Sequence, residues 1–202
     1  RNLNFINGLG IGQGGAILSA CNLILENCTF KDNTLTPVYI EAYGEDPAYT
    51  MSAGGAVSCE GNIIAKNCNF INSTANTCAV IYSYEGYSLT CTDCNFIGNT
   101  EKVASGILCV DMSTKATLTR CNFINNTANY GIITSYNGGK LTCSDCTFTN
   151  NNNAAFLIND GSNNVKINGK KNNGNVVLTD SLKTTYLIKG TAKNLKTTYN
   201  SG

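Results

Sequence analysis

Residues 89–99 read L-T-C-T-D-C-N-F-I-G-N, and most of the chain repeats this phrase with variations. It occurs as L-I-L-E-N-C-T-F-K-D-N at 23–33, I-I-A-K-N-C-N-F-I-N-S at 63–73, A-T-L-T-R-C-N-F-I-N-N at 116–126 and L-T-C-S-D-C-T-F-T-N-N at 141–151. A partial copy, L-N-F-I-N, precedes them with Phe5. The phenylalanines fall at 5, 30, 70, 96, 123 and 148, so successive spacings are 25, 40, 26, 27 and 25. A period of this length with one enlarged member is a repeat architecture, and the period must be found before any other fold argument.

Within 89–99, Leu89, Cys91, Cys94 and Phe96 are apolar while Thr90, Thr92 and Asp93 are polar. Alternation broken once at Asp93 describes two short strands meeting at a corner. A repeat built of such strands predicts an all-β fold, a parallel β-solenoid with coils of about 25 residues stacked ~4.8 Å apart. A second strand column is headed by Gly15, Gly55, Cys78, Gly106, Gly131 and Ala155, small residues suited to a corner where a side chain would strike the next coil. The enlarged interval carries T-L-T-P-V-Y-I-E-A-Y-G-E-D-P-A-Y-T-M (34–51), with Glu41, Glu45 and Asp46, and predicts a protruding loop. Residues 152–202 keep strand-like pieces such as V-K-I-N-G and N-V-V-L-T without the phrase, and read as less regular coils of the same domain, 1–202.

Stacking turns the repeat into columns. Phe30, Phe70, Phe96, Phe123 and Phe148 form an inward aromatic stack, each worth roughly 1.5–3 kcal/mol of burial. Cys28, Cys68, Cys94, Cys121 and Cys146 form a second inward column. Their stacked side chains point in parallel, which suits a disulfide poorly, so they read as mostly reduced thiols packing as small apolar groups. Which cysteines pair is left open, and the odd total of 11 leaves at least one thiol unpaired or bonded outside the chain. Asn33, Ser73, Asn99, Asn126 and Asn151 form a turn column able to bond the backbone and stack as an amide ladder. Asp93, Arg120 and Asp145, one residue before successive column cysteines, predict a surface ion ladder of small energetic weight. Thr90/Thr92, Thr117/Thr119 and Thr142/Ser144 make outward rows that β-branched strand preference explains. Sequons mark Asn27, Asn72 and Asn125 as candidate N-glycosylation acceptors.

Composition narrows the function. With 14 Lys+Arg against 13 Asp+Glu, the chain has no electrostatic footprint for nucleic acid or anionic membrane. No run approaches the ~20 apolar residues of a membrane helix. The chain opens in mid-repeat at Arg1, which reads as a piece of a longer protein. Eleven cysteines suggest an oxidising, extracellular setting. The C-x-x-C pairs Cys91/Cys94 and Cys143/Cys146 lie inside strands rather than on a zinc knuckle, so neither a metal nor another cofactor is expected.

The alternation of G-G-A-[ILV] (14–17, 54–57) with F-x-x-N (30–33, 96–99, 123–126, 148–151) resembles the polymorphic outer-membrane protein repeat and similar phrases of adhesin-like surface proteins. It departs at Ser73 and in the later coils, which lose the full G-G-A. The resemblance covers about residues 1–160 and implies a right-handed parallel β-helix displayed at a cell surface, serving adhesion or surface structure. Partners expected on this basis are a host or neighbouring cell surface, glycans or like subunits. Polysaccharide hydrolases of similar shape resemble one another in an Asp cluster with a nearby His, and lyases in clustered carboxylates with a basic residue. This chain has no His and only two arginines, Arg1 and Arg120, so no catalytic residue is expected. End-to-end stacking of open coils into a fibre is the alternative reading.

Overall fold

The computed structural model of the chain describes residues 1–41, 49–103, 105–110, 113–135, 137–158, 165–168, 174–178, 186–188 and 195–199. Glu45 and Asp46 of the inserted segment lie outside them. Each full coil contributes one short strand to each of up to four parallel sheets, visited in a fixed order. Sheet I stacks Asn4–Ile6, Thr29–Lys31, Asn69–Ile71, Asn95–Ile97, Asn122–Ile124 and Thr147–Thr149. Sheet II stacks Leu9–Ile11, Thr34–Thr36, Thr74–Ala75 and Thr100–Glu101. Sheet III begins with Ile17–Ser19 and Val57–Cys59 and continues through Gly131–Ser135 to Leu195–Tyr199. Sheet IV runs from Leu23–Glu26 through Ser88–Thr92 and Lys140–Ser144 to Tyr186–Ile188.

Register is set by the repeated phrase. Phe5, Phe30, Phe70, Phe96, Phe123 and Phe148 pair in succession along sheet I. Their rings stack nearly parallel, with centroids 4.6–5.1 Å apart. A slip of one residue would turn the whole phenylalanine set from core to solvent, so burial fixes the alignment. The stack ends where Phe148 meets Phe156 edge-on at 4.9 Å. Across the interior, the inward residues of sheet IV, such as Ile63, Leu89, Leu118 and Leu141, complete the same apolar core.

The two corners that flank sheet I are made by residues with left-handed backbone. Asn27, Asn67, Asp93, Arg120 and Asp145 join sheet IV to sheet I, and Asn2 holds the same place before the first strand, with φ of 52–57°. Asn7, Asp32, Asn72 and Gly98 join sheet I to sheet II, and Asn125 and Asn150 take the same place after sheet I, with φ of 53–63°. Asn, Asp and Gly tolerate this conformation best, which explains why the repeat spells them there. Arg120 is the exception in its column.

The small-residue column at the head of sheet III differs by one position at two places from the sequence expectation. Pairing of Ile81 with Val57 puts Ala79, not Cys78, in line with Gly55, and Gly131 pairs with Ala154 rather than Ala155. A Cβ on Gly15 would strike the carbonyl of Gly55, and one on Gly106 the carbonyl of Gly131. The enlarged interval holds a hairpin, Val38–Ile40 antiparallel to Tyr49–Met51, inserted between sheets II and III of its coil. After Thr149 the described strands alternate between sheets III and IV alone. Phe156 pairs with Val176 and Val176 with Thr197, so these later coils advance by 20 and 21 residues.

Candidate functional surface

The thiol column faces inward, into the core. Cys28, Cys68, Cys94, Cys121 and Cys146 are buried thiols outside any disulfide, joined in the core by Cys59, Cys91 and Cys143. Hydrogen bonding to the neighbouring Cys94 thiol, with burial, pushes Cys68 and Cys91 far above the ordinary thiol range. The Cys146 thiol and burial push Cys121 up to about 12. Such thiols stay protonated at neutral pH and are poor nucleophiles and poor metal ligands. Among the described residues no group of three or more His, Cys, Asp or Glu side chains is placed to hold a metal ion.

One disulfide joins Cys78 to Cys109, 5.4 Å apart at Cα. Cys109 lies on the outer side of sheet III, while Cys78 sits at a left-handed corner (φ 45°) just before the preceding strand. The bond therefore crosses from coil to coil, outside the thiol column, where the side chains do not run parallel. The residues Ser58, Tyr82 and Thr134 share that outer side through the register of their strands. Tyr82 and Tyr84 lie ring to ring at 4.9 Å, and the Tyr84 hydroxyl donates to Gln13 Oε1 at 2.5 Å. Ser58 and Thr134 are buried, and their hydroxyls have no hydrogen-bond partner among the described residues.

Charge on the surface is local. Arg120 donates from Nε to Asp93 Oδ1 at 2.6 Å and from a terminal nitrogen to Oδ2 at 2.8 Å, a two-point contact between consecutive coils. The arginine holds the Asp93 carboxyl below the usual carboxylate range. Asp145 follows in the same corner column and acts on Arg120 through its field, so the tight contact is a pair within the column of three. All three residues share one corner column, Arg120 exposed and the two acids half-buried. Arg1 pairs with Glu26 one coil on.

The turn column is a buried ladder. Asn33, Asn99, Asn126 and Asn151 each accept a backbone N–H of the coil before through Oδ1, at 2.8–2.9 Å. Each also donates from Nδ2 to the carbonyl of a stacked phenylalanine, at 2.9–3.1 Å. Ser73 is too short for either contact, and its buried hydroxyl has no partner. A second amide ladder runs up the outside of sheet I, where Asn95 donates to Asn69 and Asn122 to Asn95, each at 2.8 Å. On the outer side of sheet IV, Thr90, Thr117 and Thr142 align, as do Thr92, Thr119 and Ser144.

The sequence reading missed Glu101. It is 1 % exposed and occupies the inward position held by Ala75 in the coil before. Its carboxylate accepts the backbone N–H of Val103 at 2.6 Å and of Asn129 at 2.9 Å, binding its own turn to the next. The signal is present in the sequence, since T-E at 100–101 replaces T-A at 74–75 and 127–128.

On the strand Val38–Ile40 of the hairpin Tyr39 is 66 % exposed, and the sequon corners Asn27, Asn72 and Asn125 are exposed as well. No helix of the described residues is long and apolar enough to cross a membrane. Neither the curated proteins nor the solved structures contain a match to the chain. A family model described as a right-handed beta helix region matches residues 1–172, which takes in every coil that carries the phenylalanine stack. The chain belongs to the right-handed beta helix family.

Proposed function

We propose that this chain is a non-enzymatic, exported β-helix that serves adhesion or surface structure, a rigid rod carrying the 38–51 hairpin as its contact element. The observation that carries the reading is the Cys78–Cys109 disulfide between consecutive coils, a bond that persists in oxidising compartments and is rare in the cytosol. The resemblance of the G-G-A-[ILV] and F-x-x-N phrases to adhesin-like repeats supports the same assignment. So does the use of polar side chains: the asparagines, Glu101 and the Asp93–Arg120 pair are engaged coil to coil, as a stiff scaffold requires. The hairpin is antiparallel and apart from the parallel sheets, so it can vary without disturbing the stack.

Two measurements test this. Labelling of intact native cells with a membrane-impermeant reagent should mark the protein without lysis; labelling only after lysis would overturn the export reading. Replacing residues 38–51 by a short Gly-Ser link should leave the β-sheet circular dichroism intact and abolish attachment of protein-coated beads to cells. Undiminished attachment would remove the hairpin as the contact element.

A further inference from the structure

The structure separates the three sequons, and we propose that Asn125 is the N-glycan acceptor of this chain, an inference that rests on the export reading above. Asn27, Asn72 and Asn125 share the N-x-T spelling and the exposed left-handed corner, with φ of 53–55°. They differ in what holds their carboxamides. The Asn27 amide donates to Asn2 Oδ1 at 3.1 Å and its oxygen accepts from Asn67 at 3.3 Å, so it is the middle rung of a corner ladder. The Asn72 amide donates to Asp32 Oδ1 at 2.9 Å, and its oxygen lies over Gly98. The Asn125 carboxamide has no hydrogen bond among the described residues, while its backbone N–H is fixed to Thr149 O at 3.0 Å.

The corner column also leaves space beside Asn125. Pairing of Ile97 with Ile124 puts Gly98 next to Asn125 in the coil before, and Gly98 has no side chain to crowd a first sugar. Thr127, the hydroxyl residue of this sequon, is exposed, whereas Thr29 and Thr74 are half-buried in strands.

In the transfer, the donor is a lipid-linked oligosaccharide supplied by the export pathway. A bond forms between Asn125 Nδ2 and the sugar C1, the C1–O bond to the lipid pyrophosphate breaks, and the pyrophosphate leaves with the electron pair. The amide proton passes to the transferase, and nothing is oxidised or reduced. Transfer takes place on the emerging chain, so the fold selects by what the product must then fit. A glycan on Asn27 would crowd a ladder rung, and one on Asn72 a carboxamide packed against Asp32 and Gly98. One on Asn125 displaces no contact.

The test is secretion of residues 1–202 behind a signal peptide from a glycosylating eukaryotic host, followed by intact mass and glycopeptide mapping. Export is imposed in this experiment, so its failure bears on the acceptor and not on where the native protein resides. The expected result is a glycan on the Asn125 peptide, lost in both Asn125→Gln and Thr127→Ala. Thr127→Ala keeps the corner asparagine and so stays readable if Asn125→Gln fails to fold. Asn72→Gln should keep the modification. A secreted chain bare at Asn125, or one carrying its glycan at Asn27 or Asn72 instead, would overturn the proposal.

Discussion

Asn126 reaches back one coil to the phenylalanine stack, donating from Nδ2 to the carbonyl oxygen of Phe96 at 2.9 Å. Its Oδ1 accepts the backbone N–H of Asn99 at 2.9 Å and the Asn99 side-chain amide at 3.0 Å. Both asparagines are buried, so the Asn99 N–H would be stranded if the Asn126 side chain were removed.

Asn126→Ala therefore unpairs the buried Asn99 N–H and removes the side-chain bond to the Phe96 carbonyl, which keeps its sheet partner. The unpaired N–H costs about 1–3 kcal/mol and the lost bond about 1 kcal/mol more. Urea unfolding should show a loss of at least about 2 kcal/mol. A change within ~0.5 kcal/mol would mean that water takes over both contacts and that the ladder is not structural.

Ser73 is the gap in that ladder, with a buried hydroxyl that has no partner. Ser73→Asn would place an oxygen against the Asn33 N–H and an amide against the Phe30 carbonyl, the contacts that Asn99 makes with the Ser73 N–H and Phe70. The expected gain is about 1 kcal/mol, read as a rise in urea midpoint at unchanged m-value. A lower midpoint would mean that the site has closed around serine.

Much of this was legible in the sequence because stacking repeats every constraint. The phenylalanine spacings locate sheet I, the break at Asp93 locates a corner, and the 40-residue interval contains the hairpin. What was not legible depends on single positions. The shift from Cys78 to Ala79 arises because Cys78 takes the left-handed corner place held by Gly14, Gly54 and Ser105 in other coils, which a cysteine does not signal by residue type. The disulfide partner of Cys78 depends on that same register. Glu101 interrupts a small apolar column, and only the neighbouring N–H groups explain why an acid is tolerated there.

Glu101→Ala should accordingly be costly, because it exposes no surface and leaves the Val103 and Asn129 N–H groups without their acceptor. A loss of about 1–2 kcal/mol is expected, since Val103 and Asn129 are themselves exposed and water can reach their N–H groups once the acceptor is gone. Glu101→Gln keeps one acceptor oxygen and should cost less. Equal losses for the two variants would show that the charge, and not the acceptor geometry, is what the turn needs.

The buried thiols make stability fall at alkaline pH. In the folded chain Cys121 keeps its proton to about 12, and Cys68 and Cys91 are also pushed up, whereas unfolded cysteines titrate near 8.5. Above roughly pH 9 the unfolded chain therefore binds fewer protons than the folded one, and stability declines as pH rises through the window to about 12. Below pH 8 these thiols contribute no slope. Each fully buried thiol adds up to ~1.4 kcal/mol per pH unit, so Cys121→Ala should flatten the decline between pH 9 and 11 by about that amount. An identical slope in the variant would mean that solvent reaches the column.

The central claim is that consecutive coils stack in register on a continuous column of phenylalanine rings. Phe96 lies in the middle, fully buried, with Phe70 at 5.1 Å on one side and Phe123 at 4.6 Å on the other. The most direct measurement is the equilibrium unfolding free energy of Phe96→Ala against the unchanged chain. The stack predicts a loss of about 3–5 kcal/mol from the cavity left between two rings. A loss under about 1 kcal/mol would contradict it, because only a phenylalanine facing solvent can be removed at so small a cost.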